Sequence, residues 1–409
     1  MIKKLKFQIA CEIQSILHQS ITYNSSQSQG FQDTRMLTAG TFNLCADYFS
    51  NPNPNNQSDA RNGMPHDWYH RRKYVQQALS EMKCDAMALQ ELSPDQAIDL
   101  MQMFPGHGFA FFVQAQTPEI ESGSIYTTVD QIKHFLLGKN IGTPGLIGIM
   151  WNTRTLDVCP DTESEPLTKS EYESLGQSEA ESEALGRLRS KSMGIVWYNP
   201  KPFQRPQVTP LDTDQGFGNT KTPRGLGYVK FKHNQSEKEF YFFTSHAPIS
   251  GGSKTRVGCF ETENKVIHQI VGTTPFFSAG DRNLLPDDND KTRDPDLGDV
   301  EAYRALVNSY PGVYDWYNPK NHLGFPGTWF GYQYEPLKYQ NLVKADGTLT
   351  MKRRFDIGIS SLESLGSAHY HCVIRGESVE LLGQLTEADN LERNTLSDHF
   401  AVIAQFSLY

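Results

Sequence analysis

Short apolar segments with the alternation expected of β-strands recur from residue 36 to residue 408, and they constrain the fold more than any other feature of the sequence. We predict strands at 36–44, 85–91, 146–151, 225–232, 239–246, 275–281, 353–360 and 400–408. Two helices are expected between them, one with Val75, Leu79 and Met82 on a single face and one at 256–270. Strand, helix and strand at the start of this pattern indicate an α/β unit, and the many strands with few helices favour a β-sandwich with helices on its outside.

The first 35 residues differ in composition from the rest of the chain. Leucine and isoleucine at every third or fourth position form a helical stripe, and a Ser-, Gln- and Asn-rich stretch at 20–35 is typical of a linker. We therefore predict an N-terminal helix and linker at 1–35, and we expect residues 3–18 to pack on the protein, bind a partner or touch a membrane surface. Polar residues interrupt the stripe and no cleavage site follows it, so we expect a protein that folds in the cytoplasm, with leaderless export left open.

Residues 36–409 are predicted to form one domain with an insertion at about 160–222, where the chain is first acidic and then proline-rich. The formal net charge is −9, and eight acidic residues against one lysine between residues 161 and 185 supply −7 of it. The rest of the chain carries a net charge of only −2, so the overall acidity does not exclude a nucleic-acid substrate. Because no apolar stretch approaches about 18 residues, we predict no transmembrane segment.

Several of the predicted strands end on residues that can bind a metal. Asn43 ends the first strand, and Glu91 ends the next one after an apolar run. A buried carboxylate is costly without a partner, and Mg²⁺ is a natural partner because it prefers oxygen ligands. The alternative is that Glu91 helps to cap a helix that begins at Ser93 and Pro94.

The sequence Gly280-Asp281-Arg282-Asn283 ends another predicted strand. In an extended chain Asp281 and Asn283 project to the same side, so a carboxylate and an amide would face one cleft. The carboxylate can accept a proton from water, and the amide can hold that water or a metal. The alternative is a Gly-Asp turn in which the asparagine serves as a cap.

The last two predicted strands offer an aspartate–histidine pair. Asp356 alternates with apolar core positions, and Asp398 and His399 directly precede the final strand. An aspartate beside His399 would hold one tautomer of the imidazole and favour its protonated form. His246, which ends an aromatic strand, is a second candidate, and its alternative is a purely structural role.

The order of these residues along the chain is more informative than any one of them. Asn, Gln-Glu, Ser-His, Gly-Asp-x-Asn, Phe-Asp and Ser-Asp-His follow one another, and from about residue 36 to residue 409 this set resembles the endonuclease/exonuclease/phosphatase superfamily, which has the DNase I-like fold. The resemblance implies an α/β (α+β) four-layer sandwich, in which two packed mixed β-sheets are flanked by helices. It also implies hydrolysis of phosphoester bonds at one edge of the sandwich with Mg²⁺, or with Mn²⁺ in its place.

The resemblance also assigns roles to single residues. The implied metal ligands are Asn43, Glu91 and Asp398. The implied catalytic residues, which activate and position water and stabilise charge on the phosphate, are His246, Asp281, Asn283, Asp356 and His399. The implied substrate-binding residues are Arg224 and Arg256. Because histidine titrates near neutral pH, we expect both imidazoles to supply positive charge there.

The branches of the superfamily narrow the substrate class. The abasic-site repair branch typically has tyrosine at the position of His246, and the inositol 5-phosphatase signatures after Asn283 and before Asp356 are not met. We predict a nuclease that hydrolyses a phosphodiester bond. The basic clusters at 71–73 and 352–354 are compatible with tracking a polyanion, but a solvated helix face and strand end explain them at least as well. The alternatives are action on phosphoinositides, inositol phosphates or sphingomyelin and, from another class, a catalytically silent binding module.

A zinc site is the other metal interpretation. His66 and His70 have H-x₃-H spacing, and His369, His371 and Cys372 cluster in the sequence. The four-ligand spacings usual for structural zinc are missing, so we do not expect zinc.

Overall fold

The computed structural model describes fourteen stretches of the chain, and the fold is built from them alone. They are residues 36–45, 68–114, 123–137, 145–163, 179–198, 202–203, 224–248, 252–284, 299–308, 311–317, 322–323, 355–382, 396–397 and 399–408. The predicted N-terminal helix and linker at 1–35 lie outside the described residues, as does Asp398. None of the described helices is long and apolar enough to cross a membrane.

The described helices and strands alternate irregularly along the chain. In order they are β1 (Met36–Asn43), α1 (Trp68–Met82), β2 (Ala86–Leu92), α2 (Pro94–Met103), β3 (His107–Val113), β4 (Ile125–Tyr126), α3 (Val129–Phe135), β5 (Leu146–Asn152), β6 (Leu156–Val158), α4 (Glu179–Arg189), β7 (Met193–Trp197), β8 (Gly225–His233), β9 (Glu239–His246), α5 (Gly252–Val271), β10 (Phe276–Asp281), α6 (Asp299–Asn308), β11 (Tyr314–Asp315), β12 (His322–Leu323), β13 (Asp356–Ser360), β14 (Gly366–Arg375), β15 (Ser378–Leu382) and β16 (Ala401–Ser407).

Two mixed β-sheets form the centre of the structure. The first has the strand order β12-β14-β16-β1-β2-β5-β3-β4, with β15 also paired to β14, and the second has the order β11-β13-β10-β9-β8-β6, with β7 also paired to β8. Strands β1 and β2 are parallel, as are β9 and β10, whereas β16 is antiparallel to β1 and β13 is antiparallel to β10. In each sheet the carboxyl ends of the parallel strands therefore share an edge with the amino end of an antiparallel neighbour.

Apolar side chains fill three interfaces between four layers. Aromatic residues such as Phe112, Phe231 and Phe242 are fully buried between the two sheets. Helices α1 and α2 cover the outer face of the first sheet, and α5 and α6 cover the outer face of the second. Each large apolar side chain buried in this way stabilises the fold by about 1.5–3 kcal/mol. The predicted four-layer sandwich is thereby confirmed.

A buried polar bridge connects the sheets near the edge where β1, β2 and β9 end. Thr41 Oγ1 donates to Gln90 Oε1 at 3.0 Å, and Gln90 Nε2 donates to Thr244 Oγ1 at 3.3 Å. All three residues are fully buried, so loss of either bond would leave a polar group without water. The bridge therefore fixes how the two sheets sit against each other beside that edge.

The predicted elements agree well with the observed ones. All eight predicted strands are present, with ends that differ by a few residues, and the two predicted helices are α1 and α5. The sequence pattern does not predict β3, β14, β15 or α6. Within the predicted insertion at 160–222, α4 and β7 are described, and β7 pairs with β8 in the second sheet. The assignment of that whole segment as an insertion stays a prediction.

Candidate active site

Three predicted site residues lie side by side across the second sheet. Asp281 ends β10 and is in register with His246 at the end of β9 on one side and with Asp356 at the start of β13 on the other. All three are at least 95% buried. We call His246, Asp281 and Asp356 the edge row. Its members belong to neighbouring strands, so their spacing is set by the backbone hydrogen bonds of the sheet.

The first sheet contributes Asn43 and His399 to the same place. Asn43 Nδ2 donates to Asp281 Oδ2 at 3.0 Å, and it lies 3.4 Å from His399 Nε2. The carbonyl oxygen of Asn43 accepts a hydrogen bond from Ser397 Oγ at 2.6 Å, and the same Oγ accepts one from the backbone N–H of His399. The site is therefore formed between the two sheets, with each sheet supplying part of it.

The predicted aspartate–histidine pair is brought together. His399 Nδ1 lies 2.7 Å from Asp356 Oδ2, and His399 Nε2 lies 3.7 Å from Asp281 Oδ2. A carboxylate only accepts hydrogen bonds, so Nδ1 carries the proton in this pair. The other ring nitrogen, Nε2, is thereby directed at Asp281 and Asn43, where an attacking or leaving oxygen can be met.

Glu91 enters the site from an irregular part of β2. Its φ is +54°, in the left-handed region, and the pairing of β2 with β5 shifts register between Leu89 and Leu92. Glu91 Oε1 lies 3.8 Å from His246 Nε2. Capping of α2, the alternative role considered for Glu91, is performed by Ser93, which forms a capping box with Gln96.

Asn283 lies two residues after the end of β10. Its φ is +48°, its backbone N–H donates to Asp281 Oδ1 at 2.9 Å, and its Nδ2 donates to Ala247 O at 2.9 Å. Gly280 and Asp281 belong to β10, so the Gly-Asp turn considered from the sequence does not form, and the hydrogen bond from Asn283 to Asp281 follows the end of the strand. This hydrogen bond coexists with the contacts of Asp281 to Asn43 and the histidines, because the two carboxylate oxygens serve different partners.

His246 differs from the sequence prediction in its charge. Burial, together with the positive charge of Arg224 and the neighbouring His399, lowers the pKa of His246 well below its usual value. Its Nε2 lies 3.5 Å from Asp281 Oδ2, while its buried Nδ1 has no hydrogen-bond partner among the described residues. The lowered pKa of His246 favours its neutral form near neutral pH, so we assign the positive charge on this side of the site to Arg224 rather than to His246.

Of the two predicted substrate-binding arginines, Arg224 has a contact with a residue of the edge row. Arg224 Nη1 donates to the carbonyl oxygen of His246 at 3.4 Å. Arg256 lies on α5 and is 2% exposed. The charges of Arg224 and Arg256 both act on the buried Cys259 thiol, where they oppose the rise in pKa caused by burial. Arg224 therefore brings positive charge to the end of β9 at which His246 lies, and the substrate-binding role of Arg256 stays a prediction.

The donor atoms fit a divalent cation. Two groups of three side chains each offer three ligand atoms that lie within 4.8 Å of one another. The first group is Glu91, His246 and Asp281, and the second is Asp281, Asp356 and His399. Carboxylate oxygens are the ligands that Mg²⁺ prefers, and Mn²⁺ accepts oxygen and imidazole ligands.

The zinc candidates do not form such a group within the described residues. His70 is exposed on α1, and His369 and Cys372 are buried on β14. His66 lies outside the described residues, and the metal role predicted for Asp398 stays a prediction for the same reason.

Sequence reasoning missed two buried arginines that hold the site in place. Arg71 was grouped with a basic cluster on α1, but its side chain is fully buried and donates to three carbonyl oxygens of the loops beside Asn43 and His399. Arg282 was noted only as the residue between Asp281 and Asn283. Strand alternation indicates that its side chain points away from the site, but its partners come from distant parts of the chain.

The fold is the DNase I-like fold of endonuclease/exonuclease/phosphatase proteins, as the order of the sequence motifs predicted. A solved endonuclease/exonuclease/phosphatase from Bacteroides vulgatus matches with a TM-score of 0.53 and 15% identity, over 91% of this chain and 99% of that chain. A family protein from Bacteroides thetaiotaomicron matches with a TM-score of 0.53 and 17% identity, over 91% and 98% of the two chains.

A third solved structure, the mannosyl-6-phosphatase of Bacteroides thetaiotaomicron, matches with a TM-score of 0.52 and 17% identity, over 90% of this chain and 98% of that chain. No family model matches the sequence, and no curated protein does. At these identities the likeness establishes the fold, and the activity has to be argued from the site.

Proposed function

We propose that this chain is a metal-dependent phosphoesterase that uses water to hydrolyse a phosphodiester bond. The observation that supports this most directly is the cluster of donor atoms at one edge of the sandwich. There Glu91 and His399 lie beside the three residues of the edge row, and His399 is paired with Asp356. Phosphoryl transfer needs positioning and charge stabilisation more than covalent chemistry, and this group of side chains can supply both.

Glu91 would be the principal ligand of Mg²⁺ or Mn²⁺, with Asn43 and Asp398 beside it. When bound, the ion supplies Lewis acidity and lowers the pKa of a coordinated water. Asp281 orients the attacking water and accepts its proton, while Asn283 positions the water and a phosphate oxygen.

The two histidines have different roles in this proposal. His399 keeps its Nδ1 proton on Asp356 and presents Nε2 to the phosphate group, where the protonated ring stabilises growing negative charge. His246 is neutral, so it contributes a hydrogen bond, and Arg224 supplies the positive charge on that side.

Nucleic acid is the first substrate class to test, as the sequence analysis favours. A compact phosphate ester, such as a sugar phosphate, an inositol phosphate or a lipid headgroup, is the second. One observation favours this second class: of the basic cluster at 71–73, Arg71 is buried, and Arg72 and Lys73 form ion pairs with Asp99 and Glu377. The likeness of the fold to that of a mannosyl-6-phosphatase is a further reason to include sugar phosphates.

The proposal is tested by phosphate-ester hydrolysis with Mg²⁺, with Mn²⁺ and with EDTA. The panel holds single- and double-stranded DNA, RNA, sphingomyelin, phosphoinositides and mannose 6-phosphate. We expect EDTA-sensitive cleavage of one class, which Glu91→Gln abolishes while the circular dichroism spectrum stays unchanged. Full activity of Glu91→Gln would contradict the metal assignment. Silence of the wild type without any metal binding in calorimetry would favour a binding module.

A further inference from the structure

The side of β10 that faces away from the site carries a buried charged network. The Arg282 side chain is fully buried, and its Nη1 donates to Glu263 Oε2 on α5 at 2.7 Å. Its Nη2 donates to Ser278 Oγ at 2.8 Å, and Nη1 also reaches Ser245 Oγ and, at 3.3 Å, the hydroxyl of Tyr198. We call these five residues the Arg282 network.

Arg282 contacts every strand that carries a member of the edge row. Its sequence neighbours are Asp281, which ends β10, and Asn283, and its guanidinium contacts Ser245, which directly precedes His246 on β9. Its backbone N–H donates to the carbonyl oxygen of Phe355 at 2.6 Å, directly before Asp356 on β13. One residue thus links the ends of three strands at the level of the site.

Glu263 is satisfied from several directions at once. Its Oε2 accepts hydrogen bonds from Arg282 and, at 2.6 Å, from the hydroxyl of Tyr198, while its Oε1 accepts one from Ser278 Oγ at 2.9 Å. Burial raises the pKa of the Tyr198 hydroxyl well above its usual value, so this group stays protonated and donates. The carboxylate therefore ties α5 to β10 and to Tyr198.

Tyr198 extends the network toward a substrate-binding candidate. It directly follows β7, within the predicted insertion at 160–222, and its backbone N–H donates to the carbonyl oxygen of Arg224 at 3.0 Å. Arg224 in turn contacts the backbone of His246. Tyr198 is therefore connected to the site by two routes, one through Glu263 and Arg282 and one through Arg224.

Stability alone does not account for a buried ion pair of this kind. Removing an arginine and a glutamate from water carries a large desolvation penalty, and apolar residues of similar volume often stabilise a protein equally well or better. The directional fork of arginine can hold several acceptors at fixed angles, which an apolar residue cannot do. The geometry therefore favours a role in orientation.

We propose that Arg282 and Glu263 are positioning residues for the phosphoesterase reaction, because they hold His246, Asp281 and Asp356 at the spacing that the reaction needs. This inference rests on the proposed function for its kinetic consequence. Neither residue touches the substrate, and both act through the strands they connect. A misplacement of about 1 Å at reacting groups can lower a rate by about 100-fold.

The test compares single and double substitutions. Arg282→Met and Glu263→Gln each leave one buried charge without its partner, so each is expected to lower the melting temperature and kcat. The double variant Arg282→Met/Glu263→Gln removes both charges and is expected to recover much of the melting temperature. If the network positions the site, kcat of the double variant stays about 100-fold below the wild type, while KM changes by less than about threefold. Recovery of kcat together with stability would overturn the proposal.

The exposed pair Arg375 and Glu380 provides a matched control. Their side chains are 44% and 47% exposed, and the double variant Arg375→Met/Glu380→Gln makes the same chemical changes on β14 and β15. We expect it to leave both kcat and the melting temperature close to the wild-type values. A similar loss of kcat in this control would show that the substitutions act without the network.

A second readout separates this inference from the proposed function. The ring signals of His246 and His399 can be followed by NMR of histidine-labelled protein, with assignments from His246→Gln and His399→Gln. Shifted ring signals in the double variant, at a melting temperature near the wild-type value, support positioning even if the wild type hydrolyses none of the tested esters. Unchanged signals would overturn it, whatever the activity.

Discussion

Replacing Arg71 by methionine tests how the loops of the site are held. The guanidinium is fully buried, and Nη1 donates to the carbonyl oxygens of Leu44 at 2.9 Å and Leu396 at 2.5 Å, while Nη2 donates to that of Cys45 at 2.9 Å. Methionine can fill part of the space of the aliphatic stem but donates no hydrogen bond. The substitution therefore leaves three carbonyl groups without this donor.

The size of the effect follows from these contacts. A hydrogen bond from a charged group contributes about 1.5–3 kcal/mol, but three bonds that share one guanidinium are not additive. We expect Arg71→Met to lower the free energy of unfolding by about 4 kcal/mol. This is a large part of the free energy of unfolding of a typical domain, which is about 5–15 kcal/mol. Leu396 directly precedes Ser397, so the segment leading to His399 loses an anchor and kcat should fall as well.

Arg72→Met is the matched control on the same helix. The Arg72 side chain is 45% exposed and pairs with Asp99 at 3.3 Å, an arrangement that contributes at most about 1 kcal/mol. Urea denaturation followed by circular dichroism at pH 7 gives both free energies. The reasoning is refuted if Arg71→Met loses no more stability than Arg72→Met.

Three further predictions concern the Asp356–His399 pair, the buried Asp85 carboxyl group and residues 1–30. Asp356→Asn presents an amide to His399 and favours the imidazole tautomer that lacks the Nδ1 proton. We expect kcat to fall by about 10- to 100-fold with little change in melting temperature. An unchanged kcat would contradict the role of the Asp356–His399 pair. Burial raises the pKa of Asp85 above its usual 3.8, so the stability linked to its protonated form is lost as pH rises through the folded-state pKa. Denaturant titrations give the free energy of unfolding of Asp85→Asn minus that of the wild type. This difference should be more positive at pH 7 than at pH 4, and an equal difference at both pH values would contradict the prediction. Deleting residues 1–30 should leave kcat/KM unchanged in a steady-state assay, and lost activity in a folded truncation would place these residues at the site.

The strands and the order of the site residues could be predicted because both are local features. Alternation marks the start of β1 and short continuous apolar runs mark β9 and β10, and a polar residue stands where each of them ends. Strands β14 and β15 are missed because histidine and charged residues interrupt their apolar pattern.

The roles of the two buried arginines could not be predicted, because they depend on tertiary contacts. Arg71 lies four residues before Val75, so helix periodicity places it on the apolar face of α1 and Arg72 off that face, but its partners in the loops after β1 and before His399 are tertiary contacts. Similarly, alternation indicates which way Arg282 points, but Glu263 and Tyr198 reach it from 19 and 84 residues away. The lowered pKa of His246 follows from burial, which periodicity does not measure.

Strand β16 follows every other described strand in the chain, yet it lies between β14 and β1 in the first sheet. While the protein is being synthesised, β1 therefore leaves the ribosome long before the neighbour that joins it to β14. Domains fold as units during synthesis, and here the sheet stays in two parts until this strand emerges. His399 directly precedes β16, so the pair with Asp356 forms at the same late stage. A nascent chain thus holds Glu91 and Asp281 before it holds His399, and under the proposed function it would stay inactive until β16 joins the sheet.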